Sequence, residues 1–246
     1  MNNEMFNSLN KAQIQAVKYA GGPSIILAGA GSGKTRVLVE KVKYLIQKCQ
    51  VAPKSIVMIT FTNKAAAEMK SRVHFSLGFI GTFHGLCASI LRRKGYHLNI
   101  DPKFTIYDDN DQQALIKKII KDIGEDRFTP GYYINRISAA KNQLIDSARY
   151  LKLFTDYNAA KVAGIYKTYE RELKKNNCLD FDDLIMKVVQ LFIKNSSVLN
   201  WYQNLYQYFL VDEFQDTNYA QYALIKLMAE RDKNITVVGD FSQSIY

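Results

Sequence analysis

Two short segments carry residue types that together could hold a phosphate chain and a metal ion. Residues 28–35 read AGAGSGKT, follow an apolar run and precede a helical pattern that begins near Lys34 and Thr35. Small residues let backbone N–H groups turn toward phosphate oxygens, and the positive end of the helix dipole adds to that attraction. Far downstream, Asp212 and Glu213 end another apolar run as an adjacent acidic pair. A lysine, a hydroxyl and two carboxylates are groups that hold a magnesium-bound triphosphate.

The residues therefore predict a site for ATP and Mg²⁺. In this interpretation Lys34 reaches the β- and γ-phosphates, Thr35 and Asp212 hold Mg²⁺, and Glu213 points toward the attacking water. The strict pattern for such a loop begins with glycine, and Ala28 stands there instead, which is small enough to keep the turn. The remaining loop residues expected around the phosphates are Gly29, Ala30, Gly31, Ser32 and Gly33.

Buried strands must position these segments. Five short apolar runs, each ending in a polar or glycine-rich loop, lie at residues 24–28, 56–61, 79–82, 209–212 and 235–239. Continuous apolar character is typical of strands that are covered on both faces of a parallel sheet. Helical patterns follow four of them, at residues 33–47, 63–73, 82–94 and 217–230. Strand, loop and helix in repetition predict an α/β fold that binds ligands at the carboxyl edge of its sheet.

The strand pattern disappears in the middle of the chain. Segments 109–123, 158–175 and 181–193 place apolar residues at helical spacing, and Asp108 or Asp109 can cap the first of them. This stretch is longer than any ordinary loop. We therefore expect a helical insertion at residues 87–203 inside an ATP-binding domain formed by residues 1–86 and 204–246.

Composition excludes some classes of protein. The chain has 246 residues, of which 48% are hydrophobic and 23% charged, and it carries a formal net charge of +10. Its apolar runs are far shorter than the roughly 20 residues that cross a bilayer, and no signal peptide is visible, so we expect no membrane partner and a cytoplasmic location. The three cysteines lack metal-site spacing and are interpreted as reduced, structural thiols. The positive charge fits a nucleotide or nucleic-acid partner.

Further segments, taken in chain order, resemble the motifs of one helicase group. Residues 9–13 read LNKAQ, 60–69 TFTNKAAAEM, 81–85 GTFHG, 179–184 LDFDDL, 212–217 DEFQDT and 239–246 GDFSQSIY. With the phosphate loop, they resemble the superfamily 1 DNA helicases of the UvrD, Rep and PcrA type over nearly the whole chain. The resemblance implies a RecA-like core of the P-loop NTPase class with a mostly α-helical inserted subdomain. It also implies an ATP-dependent 3′ to 5′ helicase that translocates on single-stranded DNA in replication or repair.

The resemblance adds roles at the nucleotide. Gln13 would read the adenine edge, since its amide can both donate and accept hydrogen bonds, and Arg36 would lie beside the base. Gln215 and Gln243 would sense the γ-phosphate or its water and link the nucleotide state to the DNA-binding loops. With Lys34 and the acidic pair, these two glutamines complete the catalytic residues that we expect.

Residues at the strand ends are the expected contacts with DNA. Polar side chains can bond phosphates without reading sequence, and aromatic faces stack on bases of any identity. The expected DNA-contacting residues are Phe61, Thr62, Asn63, Thr82, His84, Phe181 and Tyr246. Phe181 also fits the apolar side of its helix, so a core position stays open for it. The expected partner is single-stranded DNA, including its junctions with duplex DNA.

Two features depart from the family pattern. Ser242 stands where the family has an acid before the glutamine of its motif. The sequence stops at Tyr246, before the motifs of a second RecA-like domain, which in the family brings arginines to the γ-phosphate. Because such arginines raise turnover by about 10³ to 10⁵, we expect this chain to bind Mg·ATP, to hydrolyse it slowly and to depend on that missing domain of the same protein as its partner.

Two alternative functions stay open at this point. The helicase half of a recombination helicase-nuclease shares these motifs, and a nuclease domain in the full-length gene would favour it. A naturally short, inactive protein that binds single-stranded DNA would be favoured by a stop codon directly after Tyr246. A nucleotide kinase is disfavoured, because the acidic pair lies far downstream of Lys34 and is followed by Gln215.

Overall fold

The computed structural model describes residues 6, 9–29, 31–125 and 127–240. Within them the chain divides into two compact units. The first unit combines the described residues through Leu86 with Ser196–Thr217 and with those from Ile225 onwards. The second unit consists of Cys87–Asn195 and Asn218–Leu224, of which Asp126 is not described. The unit that carries the phosphate loop is thus assembled from segments that are distant in sequence.

Strands and helices alternate in the first unit, and helices predominate in the second. The strands are β1 (Ser24–Leu27), β2 (Ile56–Thr60), β3 (Phe79–Thr82), β4 (Thr105–Tyr107), β5 (Cys178–Asp180), β6 (Tyr208–Val211) and β7 (Ile235–Gly239). The helices are α1 (Lys11–Lys18), α2 (Lys34–Gln47), α3 (Asn63–Arg72), α4 (Phe83–Lys94), α5 (Asp109–Asp122), α6 (Pro130–Asn142), α7 (Ser147–Leu153), α8 (Ala159–Lys175), α9 (Phe181–Lys194), α10 (Ser196–Leu205) and α11 (Tyr219–Ala229).

The first unit contains one sheet in the strand order β1-β7-β6-β2-β3, and its strand pairs are parallel. The interior strand β2 is buried along its whole length, whereas the edge strand β1 leaves Ile25 and Leu27 exposed. Since all these strands run in the same direction, their carboxyl ends share one edge of the sheet. The phosphate loop, the acidic pair and the polar ends of β2 and β3 all follow strands at that edge.

The predicted α/β fold with a parallel sheet and a helical insertion is confirmed. All five predicted strands form, and those predicted to end at Ala28, Phe61 and Asp212 each end one residue earlier. The sequence did not indicate β4 and β5, which pair in parallel within the second unit. Three residues are too few to establish an alternation of apolar and polar positions. Their pairing depends on bringing distant segments together, which no local pattern reports.

Helix α2 is fixed to the sheet by its apolar face. Leu38, Val42 and Leu45 recur at four- and three-residue spacing, which places them on one side of the helix. They join a buried cluster with strand residues Ile56, Met58, Leu210 and Val238. Full burial of such a side chain contributes about 1.5–3 kcal/mol to stability. The helix that begins at Lys34 is therefore held in place by packing along its length.

The second unit has an apolar core of its own, to which α5, α6 and α8 contribute most of the buried side chains. Four fully buried tyrosines belong to it, namely Tyr133, Tyr150, Tyr166 and Tyr169. Lys141 is also fully buried, and its Nζ lies 2.6 Å from Asp180 Oδ2 and 3.0 Å from Asp183 Oδ1. An ion triad thus lies inside this unit, where Asp180 also caps α9.

Among the described residues, no helix combines the length and the apolar character that crossing a lipid bilayer requires. Cys49, Cys87 and Cys178 are free thiols, of which Cys49 is exposed. Within the same described ranges, no group of three or more His, Cys, Asp or Glu side chains forms a metal cluster.

Candidate functional site

The loop that follows β1 begins beside β7 and leads into α2. The N–H of Ala28 donates to the carbonyl of Gly239 in β7 at 3.1 Å. Gly31 and Gly33 have φ of 71° and 83°, in the left-handed region that costs other residues roughly 1–2 kcal/mol. Gly33 is the residue directly before the first turn of α2. Glycine is thus required by the backbone at two positions of this turn, while Ala30 lies outside the described residues.

The acidic pair meets the start of α2. Asp212 is 2% exposed, and its Oδ2 accepts a hydrogen bond from Thr35 Oγ1 at 3.0 Å. Burial raises the pKa of Asp212 above its ordinary value, and the Thr35 hydrogen bond opposes that rise. Glu213 has φ of 49°, and its Oε2 lies 3.0 Å from Lys34 Nζ. The four side chains expected around a magnesium-bound triphosphate therefore lie together at one end of the sheet.

Gln215 connects the acidic pair to the end of β7. Its Nε2 donates to Glu213 Oε2 at 3.0 Å and to Asp216 Oδ2 at 3.2 Å, and its Oε1 accepts from the N–H of Asp240 at 3.0 Å. A Cβ atom on Gly239 would lie 2.8 Å from Gln215 Oε1, so only glycine leaves the space this contact needs. The backbone directly after β7, the strand that precedes Gln243, is thus hydrogen-bonded to Gln215. Gln243 itself lies outside the described residues.

Gln13 is hydrogen-bonded to the phosphate loop. Its Nε2 donates to the carbonyl of Ser32 at 2.9 Å, while its Oε1 accepts from the N–H of Asn10 at 2.9 Å. Asn10 Oδ1 accepts from the N–H of Gln13 in return, which completes a capping box at the start of α1. The amide expected to read adenine is therefore oriented by a helix cap on one side and by the loop on the other.

Arg36 is exposed and lines an open groove of about 500 Å³ on the first unit, together with Val39, Glu40, Lys43, Ser71, Arg72 and His74. Two of its basic side chains are already paired: Lys43 Nζ lies 2.8 Å from Glu40 Oε1, and Arg72 binds Glu68. No carboxylate lies within 4.0 Å of the Arg36 guanidinium in the described part of the chain. Arg36 thus presents a positive charge that is open to an anionic or aromatic ligand.

The expected DNA contacts of the first unit follow two neighbouring strands. Phe61 comes directly after β2 and packs edge-on against Phe83, with ring centroids 5.6 Å apart. Thr62 caps α3 through the N–H of Ala65 at 3.1 Å, and Thr82 Oγ1 accepts from the N–H of Gly85 at 3.1 Å. Both hydroxyls thus stabilise the first turn of the helix that follows.

Four further residues complete the expected DNA set. Asn63 is exposed at the first position of α3, and His84 is half-buried in the first turn of α4, where burial lowers its pKa below the ordinary value. A lowered pKa leaves His84 neutral at pH 7, so a phosphate contact there would be a neutral hydrogen bond. Phe181 begins α9 in the second unit and is 42% exposed, so it is not a core residue. Tyr246 lies outside the described residues.

Two residues of this site were not singled out from the sequence. Asn10 orients Gln13, and the spacing Asn-x-x-Gln before a helix is a capping-box signature that could have identified it. Asp240 is 4% exposed and gives its N–H to Gln215. No local pattern identifies Asp240, because its contact depends on how β7 lies beside β6 in the sheet.

The chain is similar to known proteins along its whole length. A family model described as UvrD/REP helicase N-terminal domain matches residues 9–246. A protein named ATP-dependent DNA helicase PcrA from Staphylococcus aureus (strain Mu50 / ATCC 700699) is 47% identical over 252 aligned positions, covering 99% of this chain and 34% of that relative. The protein of the same name from Staphylococcus epidermidis (strain ATCC 12228 / FDA PCI 1200) is 46% identical, covering 99% of the chain and 35% of the relative. The chain therefore spans about a third of the length of these relatives.

Proposed function

The chain belongs to the UvrD/REP helicase N-terminal domain family, and we propose that it is the ATP-binding part of a DNA helicase that moves on single strands. In this proposal residues 1–86 and 204–246 form the nucleotide-binding domain, and residues 87–203 form a helical insertion. The whole protein would use ATP to translocate 3′ to 5′ in replication or repair, in the cytoplasm. The family and its relatives' names support ATP and DNA as the ligands.

One observation carries the nucleotide part of the proposal. Thr35 and Lys34 start α2 and contact Asp212 and Glu213, respectively, each at 3.0 Å. One hydroxyl and one carboxylate suit Mg²⁺, which is usually held by one or two carboxylates together with waters and phosphate oxygens. When bound, the ion would neutralise charge on the phosphate oxygens.

The remaining roles in binding and hydrolysis belong to side chains of the protein. Lys34 exchanges its contact with Glu213 for the β- and γ-phosphates, and the freed Glu213 carboxylate accepts a proton from the attacking water. The water oxygen bonds the γ-phosphorus while the bond from that phosphorus to the bridging oxygen breaks, and ADP is the leaving group. Gln215, which bonds both Glu213 and the backbone of Asp240, transmits the change toward the segment after β7. Gln13 and Arg36 hold the adenine. Gln243 is proposed as the second sensor of the γ-phosphate.

The DNA part of the proposal rests on the ends of β2 and β3, which are neighbours in the sheet. The polar side chains there bond phosphates, and Phe61 offers a face on which a base can stack, worth roughly 1 to 3 kcal/mol per base. Phe181 and Tyr246 are proposed as additional stacking residues. Junctions of single- and double-stranded DNA are proposed as the substrate of the whole protein.

Slow hydrolysis by these residues alone is also part of the proposal. The chain covers about a third of its relatives, and the family resemblance assigns the arginines that contact the γ-phosphate to a second RecA-like domain. Without them we expect turnover to be lower by about 10³- to 10⁵-fold. The second domain of the same protein is therefore the proposed partner.

A pair of titrations tests the proposal. The purified chain is titrated with a fluorescent ATP analogue, with magnesium and with excess EDTA, and then with a single-stranded oligonucleotide and its duplex at several salt concentrations. We expect magnesium-dependent nucleotide binding and a preference for the single strand. The logarithm of the DNA affinity should fall linearly with the logarithm of the salt concentration, with a slope of about −0.7 per phosphate contact. Absent nucleotide binding, or equal binding of single and double strands, would refute the corresponding half of the proposal.

A further inference from the structure

Lys41 of α2 is a buried lysine with no role in the site described so far. It is 3% exposed, and its Nζ donates to the carbonyl of Ala16 at 3.0 Å and to the carbonyl of Tyr19. Among the described residues, no carboxylate oxygen lies within 4.0 Å of this Nζ. Lysine is almost never buried without a partner. The two carbonyls and the ring of Tyr19, whose centroid lies 5.9 Å from Nζ, are the groups that stabilise its charge.

The two carbonyls belong to the C-terminal end of α1. Helix α1 ends at Lys18, with Tyr19 as its cap. The last carbonyls of a helix have no partner within the helix, and they form the negative end of its dipole. A cation placed there satisfies both needs at once. Lys41 thus attaches the end of α1 to the middle of α2, and this attachment requires α1 to stay where its carbonyls meet the ammonium.

The other end of α1 is attached to the phosphate loop. Gln13 reaches from the first turn of α1 to the carbonyl of Ser32 at 2.9 Å, and Gly33, the next residue, caps α2. A Cβ atom on Gly33 would lie 3.4 Å from Gln13 Nε2, so the amide and the loop are in close contact. Helix α1, the loop and the first two turns of α2 therefore form a closed ring, held by Gln13 at one end and by Lys41 at the other.

Such a ring matters because α1 has little stability of its own. It has eight residues, and isolated helices shorter than about 12 residues are marginal in water. The position of the Gln13 amide is therefore set by what α1 is attached to. Among the described residues, the acceptor of the Gln13 Nε2 is the carbonyl of Ser32, and a bound adenine would compete with this carbonyl for the amide. Lys41, together with the fully buried Val17 of α1, is an attachment that stays unchanged when Gln13 turns toward the base.

We propose that Lys41 is a positioning residue for adenine recognition: by fixing the C-terminal end of α1 to α2, it holds the Gln13 amide where it can bond the edge of the adenine. The inference rests on the proposed ATP site and extends it to a residue that touches no part of the nucleotide. The affinity for ATP then has two separate contributions: the loop and Lys34 bind the triphosphate, and Gln13 binds the base.

The test compares ATP with inorganic tripolyphosphate, both with magnesium, by calorimetric titration of the chain. Variants are Lys41→Met, Lys41→Arg, Gln13→Ala and the double variant Gln13→Ala/Lys41→Met. We expect Lys41→Met and Gln13→Ala each to weaken ATP binding about tenfold, as loss of one or two hydrogen bonds implies, and to leave tripolyphosphate binding unchanged. The double variant should bind ATP no more weakly than Gln13→Ala, and Lys41→Arg should keep most of the wild-type affinity.

The outcomes separate this inference from the proposed function. Equal weakening of ATP and tripolyphosphate by Lys41→Met would mean a general structural role and overturn the inference, as would additive losses in the double variant. If Lys41→Met folds poorly, Lys41→Gln is used instead, because its amide can still donate to one of the two carbonyls. The ratio of its ATP affinity to its tripolyphosphate affinity is then compared with that of the wild type. A wild-type chain that binds neither ligand would instead refute the nucleotide site itself, and the positioning role with it.

Discussion

The Oγ1 of Thr35 donates a hydrogen bond of 3.0 Å to the Oδ2 of Asp212, across 177 positions of the sequence. Thr35 follows β1 and Asp212 follows β6, and β7 lies between these two strands in the sheet. Parallel strands bring their carboxyl ends to one edge, so two residues from distant segments meet over the end of a third strand. The same edge brings Lys34 to Glu213 and thereby assembles the proposed nucleotide site.

Replacing Lys34 by alanine should abolish binding of Mg·ATP while the chain stays folded. The residue contacts Glu213, whose side chain is 38% exposed, so the lost ion pair costs little stability and solvent can rehydrate the carboxylate. Nucleotide affinity is measured by titration and folding by circular dichroism. Lys48→Ala, at the exposed C-terminal cap of the same helix, is the matched control and should bind ATP normally. Retained ATP affinity in Lys34→Ala would remove the phosphate-site assignment.

Gly78→Ala should destabilise the protein by about 1–3 kcal/mol, the usual cost of forcing extra atoms into a packed region. A Cβ at this position would overlap the carbonyl oxygen of Lys54 and lie 2.9 Å from the ring of Tyr206. Gly164→Ala is the opposite case, because no atom lies within 4 Å of its added Cβ in α8, and helix propensity favours alanine by roughly 0.5–1 kcal/mol. Urea denaturation should move the two midpoints in opposite directions, and a shift of both in the same direction would contradict the packing argument.

The stability of the chain should fall on acidification partly because of His84. Burial lowers its pKa in the folded state, so between that value and the unfolded value of about 6.5 the unfolded chain binds more protons. Stability must therefore decrease as pH falls through this window. Denaturant midpoints of wild type and His84→Gln, taken at about pH 7.5 and about pH 5.5, should show a smaller loss in the variant. Identical losses would mean that His84 titrates as it does in water.

Lys141→Met should destabilise the second unit by about 3–5 kcal/mol, because it leaves two buried carboxylates without their counter-ion. Burial already raises the pKa of Asp180 to about 6 with Lys141 present. Without Lys141, protonation of the carboxylates relieves the repulsion in the folded state, so the loss should be smaller at about pH 5 than at about pH 7.

The control for Lys141 is Lys161→Met, which breaks an ion pair with Glu125 in the same unit. Lys161 is 44% exposed, whereas the Glu125 side chain is only 4% exposed and keeps the N–H of Arg127 as a donor. We therefore expect a smaller loss than at Lys141, whose removal leaves two buried carboxylates without their counter-ion. Thermal and denaturant unfolding of both variants give the comparison. Equal stability losses in the two variants would show that the buried triad is not a source of stability.

Much of the first unit could be predicted from local sequence alone. Apolar runs marked all five strands of its sheet, and the glycines of the phosphate loop marked a turn that only glycine adopts easily. The short pair β4 and β5 could not be predicted, because each has three residues and finds its partner in a distant segment. Likewise, Asp108 was one of two candidate caps for α5, and the structure shows that it accepts from the N–H groups of Asn110 and Asp111.

Which residue types follow each strand could be predicted locally, because period, turn chemistry and motif spacing are local properties of the chain. Which of those residues come into contact depends on the packed fold. The Gln215 contact to the N–H of Asp240 and the Lys41 contact to the carbonyls of α1 depend on strand order and helix packing. Both use backbone groups as partners, and every residue except proline offers the same N–H and C=O, so side-chain identities carry no signal of these contacts.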